Sequence, residues 1–389
     1  MSILFLIVIY LSFISLGLPD SGFGYSWPYM HEVLKVPVEA AGLVTIIVTL
    51  CGAFSSVVSI RLSKKMSTGL IVTISSLLTG VAMLGYALAD NYIIILLCSF
   101  PLGLGAGGVD ATLNNYVAKH LSSRVMNWLH ACWGLGAMIS PLIMSFAIVS
   151  LNGYQDGYII VALIQLSLAI YFFTTLKMWK KNGVNEQEDS IDNRDLPRVT
   201  LRNLTPWLAI LTYFLYCGAE NSIMVWLNTF LIESRNMTNE YINGTIVALY
   251  SGGIMGGRIL TGVISNRLGN RRVIRYGITI SLIGLLLLFI NNPYIMMVSV
   301  LLIGLGFAPV FPSLMHETTA RFSSESASRV VSYQMASANI AMLSISPLFG
   351  LIGSRFGFGL MIPYCIVIVV VLFVIIEWLN KLTPQIKKV

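Results

Sequence analysis

The feature that most constrains this chain is a series of long apolar segments. A membrane-spanning helix needs about 20 mainly apolar residues, and twelve segments meet that requirement: 3–30, 39–62, 68–89, 92–119, 126–152, 155–179, 205–231, 241–265, 272–291, 294–320, 327–352 and 357–381. Only 11% of the residues are charged, whereas soluble domains carry roughly 25%. We therefore predict an all-α integral membrane protein with twelve transmembrane helices.

The basic residues predict how the chain lies in the membrane. If both termini are cytoplasmic, all of the 24 Lys and Arg residues except Lys35, Arg235 and Arg355 fall in cytoplasmic loops or on the cytoplasmic side of the segments. Loops rich in Lys and Arg remain on the cytoplasmic side of a membrane. We therefore expect both termini to be cytoplasmic. We also expect a multi-pass protein of the plasma membrane, specifically of a bacterial inner membrane.

Short motifs recur in the two halves of the sequence. Gly103-Leu104-Gly105 returns as Gly304-Leu305-Gly306, and Ser140-Pro141-Leu142 returns as Ser346-Pro347-Leu348. Recurrence after six segments predicts two parallel six-helix repeats related by an axis along the membrane normal. The polar stretch 180–204 would be a cytoplasmic linker between two pseudo-symmetric bundles, 1–179 and 205–389.

Three acidic residues, Asp20, Asp110 and Glu220, lie deep inside apolar segments. A charge at the centre of a bilayer costs about 2.5–3.5 kcal/mol on insertion scales, so such residues usually face a cavity or a partner. Asp20 could instead lie in an interfacial loop, and Asp110 could be paired with Lys119 or Arg124. Glu220 could form part of a cavity wall or neutralise an arginine. The functional interpretation is that these acids carry protons or bind a solute.

The loop after the eighth segment carries the clearest motif. It reads Gly262-x-x-x-Asn266-Arg267-x-Gly269-x-Arg271-Arg272. This pattern resembles the loop motif of the major facilitator superfamily, and its counterpart in the first half is a degenerate run that includes Arg61. The resemblance implies that Arg61, Asn266, Arg267, Arg271 and Arg272 help to gate the cytoplasmic side.

A narrower resemblance comes from the fourth segment, Asp110-Ala111-Thr112-Leu113-Asn114-Asn115-Tyr116-Val117. It is similar to a run in the fucose/galactose/glucose proton symporters, in which an acid and a small residue precede Asn-Pro-Tyr-Val. That group also has an acid in its first segment, which aligns with Asp20. The resemblance implies that Asp110 and Asp20 serve in proton coupling and sugar binding.

Other polar and aromatic residues complete the predicted site. His130 is a proton-transfer candidate, because histidine titrates near neutral pH, and Glu220 is another. Arg258 is expected to reach toward the cytoplasmic interface or to form a structural ion pair, with anion recognition as the alternative. Aromatic faces and amides bind sugars, so the predicted substrate-binding residues are Asp20, Trp27, Asn114, Asn115, Trp133, Asn221, Trp226, Gln334 and Asn339.

Enzymatic motifs are missing from the sequence. There is no phosphate-binding Gly-x-x-x-x-Gly-Lys loop, no Gly-x-Ser-x-Gly, no paired-cysteine metal site and no His-Glu-x-x-His. We therefore expect no enzymatic activity, no cofactor and no metal, with the proton gradient as the energy source.

The predicted function is proton-coupled symport of a small polar solute, a monosaccharide above all, by rocker-switch alternating access. The alternative is a proton-antiport exporter of a drug, lipid or other amphiphilic metabolite. The expected partners are the solute and the lipid bilayer, without nucleic acid, for a monomer.

Overall fold

A computed structural model describes residues 3–63, 65–121, 123–181 and 202–383. In these ranges the chain is almost entirely helical. The helices are α1 (Ile3–Val33), α2 (Ala41–Leu62), α3 (Thr68–Leu88), α4 (Tyr92–His120), α5 (Ser123–Ser150), α6 (Tyr154–Thr174), α7 (Leu176–Lys181), α8 (Leu204–Glu233), α9 (Glu240–Leu268), α10 (Asn270–Leu287), α11 (Pro293–Phe307), α12 (Val310–Arg321), α13 (Ser324–Phe356) and α14 (Met361–Leu382).

Eleven spans in the described ranges are long and apolar enough to cross a membrane. The predicted ninth segment, 272–291, overlaps α10, which is not one of the eleven because Arg271, Arg272 and Arg275 crowd its first turns. The predicted tenth segment is divided into α11 and α12 on either side of Ala308 and Pro309. An all-helical membrane protein is confirmed, and the full count of twelve crossings remains a prediction.

Apolar side chains cover both the inside and the outside of the bundle. Trp27, Trp226 and Tyr250 are fully buried, while Ile170, Phe173 and Val263 are more than half exposed on the outer surface. In water such a surface would aggregate, whereas in a bilayer it contacts lipid chains of equal polarity. The helices are therefore held together by close packing and polar contacts.

The helices pack in two sets along the chain. In the first, α1 packs against α5, α2 against α4, and α3 against α4 and α6. In the second, α8 packs against α13 and α14, and α9 and α10 pack against α11. The sets meet where α5 packs against α9, α2 against α13, and α1 against α8. Most of the predicted linker, residues 182–201, lies outside the described residues, so the domain boundaries remain a prediction.

Two faces of the bundle are needed to describe the site. We call the face at which α1 begins and α14 ends the terminal face, and the face at which α1 ends and α9 begins the loop face. The two helix sets approach closely near the loop face. A Cβ atom at Gly24 of α1 would overlap with the Met224 carbonyl oxygen of α8, and a Cβ atom at Gly42 of α2 would lie 3.1 Å from Pro347 of α13.

Candidate functional site

Helix α1 passes through Pro19 without ending. Proline has no N–H group, so Pro19 leaves the Ser15 carbonyl without its helical donor. The buried Gln165 of α6 supplies the missing donor, because its Nε2 atom lies 2.5 Å from the Ser15 oxygen. The Ser15 hydroxyl in turn donates to the Gln165 side-chain oxygen. This exchange fixes α1 against α6 one turn before Asp20.

A second proline is compensated in the same way. Pro141 of α5 leaves the Ala137 carbonyl without a helical donor, and the buried Ser21 hydroxyl of α1 donates to that oxygen at 2.5 Å. Because Ser21 follows Asp20 directly, this bond holds the acid at a defined height along α5. The two contacts show how prolines in a membrane helix are tolerated when neighbouring side chains satisfy the freed backbone groups.

Small residues bring α1 and α5 into backbone contact beside Asp20. A Cβ atom at Gly17 would overlap with the Trp133 carbonyl oxygen, and one at Gly136 would overlap with the Ile14 carbonyl oxygen. At this spacing the Trp133 indole reaches across to α1, and its Nε1 atom donates to Asp20 Oδ2 at 2.7 Å. Trp133 therefore holds the Asp20 carboxylate in a fixed orientation.

Asp110 is placed by the glycine-rich part of α4. A Cβ atom at Gly107 would overlap with the Gly52 carbonyl oxygen, so α4 and α2 touch backbone to backbone just before the acid. One helical turn later, Asn114 Nδ2 donates to Asp110 Oδ1 at 2.8 Å. Both Asp110 and Asp20 are exposed although they lie in the middle of long helices. The two carboxylates are close enough for their charges to interact.

Arg258 of α9 faces these acids from the second helix set. Its guanidinium carbon lies 5.0 Å from the centre of the Trp133 ring, a cation–π contact. Its Nη1 atom donates to the His130 carbonyl at 3.3 Å. Its charge acts electrostatically on both Asp110 and Glu220. Among the residues that the structure describes, however, neither Arg258 nor any of the three deep acids takes part in an ion pair.

Glu220 completes the wall formed by the second helix set. It is partly exposed on α8, and its Oε1 atom is buried without a hydrogen-bond partner in the described part of the chain. The neighbouring Asn221 Nδ2 is in the same situation. A buried polar atom without a partner costs about 1–3 kcal/mol. Together these groups leave an acceptor and a donor available to a bound molecule.

The exposure of Asp20 and Asp110, and the partial exposure of Glu220 and Arg258, indicate an accessible space between the helix sets, which we call the opening. Toward the loop face, the two sets are joined by a cluster that we call the Glu240 latch. Glu240 begins α9, and its carboxylate accepts hydrogen bonds from the hydroxyls of Tyr25 and Tyr29 on α1. Its backbone carbonyl accepts from Tyr25 at 2.9 Å and from Ser145 of α5 at 2.9 Å. Asn228 of α8 also donates to the Tyr25 carbonyl at 2.6 Å.

Most of the hydrogen bonds described between the two helix sets lie near the loop face. Near the loop face, Ser150 and Tyr241 share a hydrogen bond of 2.8 Å. The Arg258–His130 contact joins the two sets nearer the terminal face. The opening that contains Asp20 and Asp110 is therefore closed toward the loop face.

Three predicted substrate-binding residues do not line the opening in this structure. Trp27 is fully buried and donates from Nε1 to the Val38 carbonyl at 2.6 Å, and Trp226 is fully buried and donates to the Ser346 carbonyl at 2.9 Å. Gln334 is 1% exposed and bonds the Ala209 carbonyl and the Thr318 hydroxyl. Trp226 and Gln334 use their polar groups to join helices, and Trp27 uses its indole N–H to hold the α1–α2 connection, so packing is the role that their surroundings indicate.

The remaining predicted residues have mixed positions. Asn115, Asn221 and Asn339 are partly exposed, and Asn339 Nδ2 donates to the Met335 carbonyl at 3.1 Å. The His130 ring packs edge-on against Phe13, with ring centres 5.5 Å apart. The roles predicted for these residues stay predictions.

The predicted gating residues lie at the terminal face. Arg271 Nε is 2.8 Å from Glu317 Oε2, and Arg271 Nη2 donates to the Thr383 carbonyl at 2.7 Å, so this residue joins α10, α12 and the end of α14. Arg61, Arg267 and Arg272 are exposed, and the Asn266 side chain is outside the described part of the structure. Arg321, which was not predicted, also contacts Glu317, at 3.3 Å.

Sequence reasoning missed Gln165 and the Glu240 latch. Gln165 could have been found, because it is an amide in an otherwise apolar segment and Pro19 leaves a carbonyl in need of a donor. Tyr25, Tyr29 and Glu240 give no such signal, because tyrosines and acids are common at helix ends near a membrane surface.

Comparison with known proteins identifies the family. The sequence profile of the Major Facilitator Superfamily matches residues 9–276 and 240–388. The chain belongs to this superfamily of membrane transporters.

Two of the proteins to which this chain is similar are transporters named for sugars or sugar derivatives. The chain is similar to the glucose/mannose transporter GlcP of Bacillus subtilis, with 27% identity over 78% of this chain and 77% of that protein. It is also similar to the sialic acid transporter NanX of Escherichia coli, with 24% identity over 66% and 62% of the two chains.

Two solved structures share the fold. A bacterial homologue of the human lysosomal transporter Spinster, in an inward-facing and occupied conformation, has a TM-score of 0.73 at 11% identity and covers 98% of this chain and 96% of that chain. A peptide transporter has a TM-score of 0.76 at 12% identity and covers 97% and 95%. At such low identity these likenesses concern the fold alone.

Proposed function

We propose that this transporter is a proton-coupled symporter of a small polar solute of monosaccharide size. The observation that carries the proposal is the position of Asp20 and Asp110. Both carboxylates are exposed at mid-helix depth, within electrostatic range of each other, and neither is in an ion pair among the described residues. An acid that is accessible, deep and free of a permanent cation can take up a proton on one side and release it on the other.

The solute class follows from the site and from the relatives. Asn114 beside Asp110, together with the unpartnered groups of Glu220 and Asn221, supplies hydrogen-bond donors and acceptors, and Trp133 beside Asp20 supplies an aromatic ring. Such a set suits a hydroxyl-rich ring. The relatives named for glucose, mannose and sialic acid transport support a sugar or a sugar derivative.

The proposed mechanism is rocker-switch alternating access by a protein with twelve crossings and cytoplasmic termini. With that orientation the terminal face would be cytoplasmic, and the state in which the Glu240 latch is closed would be the inward-facing one. Opening the latch while the terminal face closes would expose the same acids to the outside. The proton gradient is the proposed energy source, in a monomer embedded in the plasma membrane.

The test is glucose uptake into proteoliposomes with an imposed pH gradient, acidic on the face from which uptake occurs. Wild-type protein should accumulate glucose, and Asp110→Asn should retain binding but lose accumulation. Asp90→Asn is the matched control, because Asp90 is exposed in the α3–α4 connection. Uptake that ignores the gradient, or that survives Asp110→Asn, would contradict the proposal. Export of an amphiphile in exchange for protons, without glucose binding, would assign the chain to the antiporters.

A further inference from the structure

Arg258 is a cation in an unusual place. It lies ten residues before Leu268, the end of α9, which is about 15 Å along the helix axis. In the described part of the chain, it is the one Lys or Arg more than two turns inside a helix. A cation at such depth is costly and ordinarily has a partner or a function.

The protein itself engages little of this guanidinium. Arg258 donates one long hydrogen bond, 3.3 Å to the His130 carbonyl, and has no carboxylate partner among the described residues. Most of its five N–H donors remain available, and the side chain is partly exposed to the opening.

Trp133 holds the Arg258 guanidinium in place. Arg258 lies over the Trp133 ring, and Trp133 is itself held by its hydrogen bond to Asp20. A guanidinium is a planar fork of N–H donors, which matches the two oxygens of a carboxylate.

The neighbouring acids do not use that fork. Asp20 is bonded to Trp133 and Asp110 to Asn114, so each acid of the first helix set has a donor from its own set. Glu220 Oε1, on the same side as Arg258, is buried without a partner. An ionised carboxylate accepts hydrogen bonds and cannot donate them, so this atom suits a hydroxyl group of a ligand.

We propose that the transported solute is a sugar acid, whose carboxylate binds Arg258 and whose hydroxyls bind Glu220 and the polar groups around Asp20. This inference rests on the proposed function and adds a negative charge to the solute. Arg258 offsets that charge at one end of the solute, while the hydroxyl end faces the acids.

The experiment measures binding to the full-length protein in detergent by isothermal titration calorimetry. The probes are glucuronate, glucose and glucosamine; glucuronate differs from glucose in carrying a carboxylate at C6. Glucuronate should bind about 10- to 150-fold more tightly than glucose, which is the range for a charge-assisted pair. Arg258→Gln should abolish the preference, so that this variant binds glucuronate no more tightly than glucose; the ratio of the two affinities is the readout. Arg258→Lys should recover only part of the difference, because an ammonium lacks the fork.

Arg355→Gln is the control, because Arg355 is exposed at the end of α13, at the loop face. Equal affinity of wild-type protein for glucuronate and glucose would overturn the inference without any variant, and so would tighter binding of glucosamine than glucuronate. The proposed function has a separate readout. Proton-driven glucose uptake with no preference for glucuronate would refute the sugar acid alone, whereas glucuronate binding without proton-linked uptake would refute the coupling alone.

Discussion

The Glu240 latch predicts that removing one hydroxyl will shift the transporter toward a state that is open at the loop face. The change is Tyr29→Phe, which deletes the hydrogen bond from Tyr29 to the Glu240 carboxylate and leaves the ring in place. A hydrogen bond to a charged group contributes about 1.5–3 kcal/mol, so the ratio of closed to open molecules should fall by about 10- to 150-fold. Tyr25 still donates to Glu240, which places the expected value at the lower end.

The assay is the distance between spin labels across the loop face. Labels at Asp90 and Asn291, both exposed in connections of different helix sets, report the separation of the sets without entering the latch. The five native cysteines are replaced first. Tyr29→Phe should add or enlarge a population at longer distance. The control is Tyr294→Phe, because Tyr294 is 76% exposed on α11 and outside the latch. Identical distance distributions for wild type and Tyr29→Phe would refute the latch as an energetic device.

Two further predictions concern the helices that hold Asp20. Gln165→Leu leaves the Ser15 carbonyl without a donor and should destabilise the protein by about 1–3 kcal/mol, measured as a lower midpoint of thermal unfolding in detergent; an unchanged midpoint would contradict the role of this amide. Gly17→Ala should move α1 from α5, because its Cβ would overlap with the Trp133 carbonyl, and should reduce both stability and solute binding. Gly52→Ala is the matched control, since its Cβ would lie 3.6 Å from the nearest atom and should be tolerated.

The helical architecture could be predicted because its signal is long and redundant. Each predicted apolar segment overlaps a helix, even where α10 is too rich in arginine to count as a span by composition. The continuity of α1 through Pro19 cannot be inferred from the segment itself, because it depends on whether another helix supplies a donor to the Ser15 carbonyl. That donor is Gln165, 146 positions away in the sequence.

The site is harder to predict for a physical reason. In a soluble helix, polar residues mark the face turned to water, but lipid and protein core are equally apolar, so a membrane helix carries little information about which face points inward. Trp27 and Trp133 are indistinguishable by this criterion. One is fully buried against Val38, and the other reaches Asp20 because Gly17 and Gly136 let two backbones touch. Such contacts depend on tertiary packing.

The central claim is that Asp110 carries the proton that moves with the solute. The most direct measurement is solute-driven proton flux in proteoliposomes that contain a pH-sensitive dye and have no initial gradient. Addition of glucose, or of glucuronate, to wild-type protein should acidify the lumen as the solute enters with a proton. Asp110→Asn should bind the same solute without acidification, while Asp90→Asn behaves as wild type. Solute entry through wild-type protein without any pH change, or equal acidification by Asp110→Asn, would contradict the account.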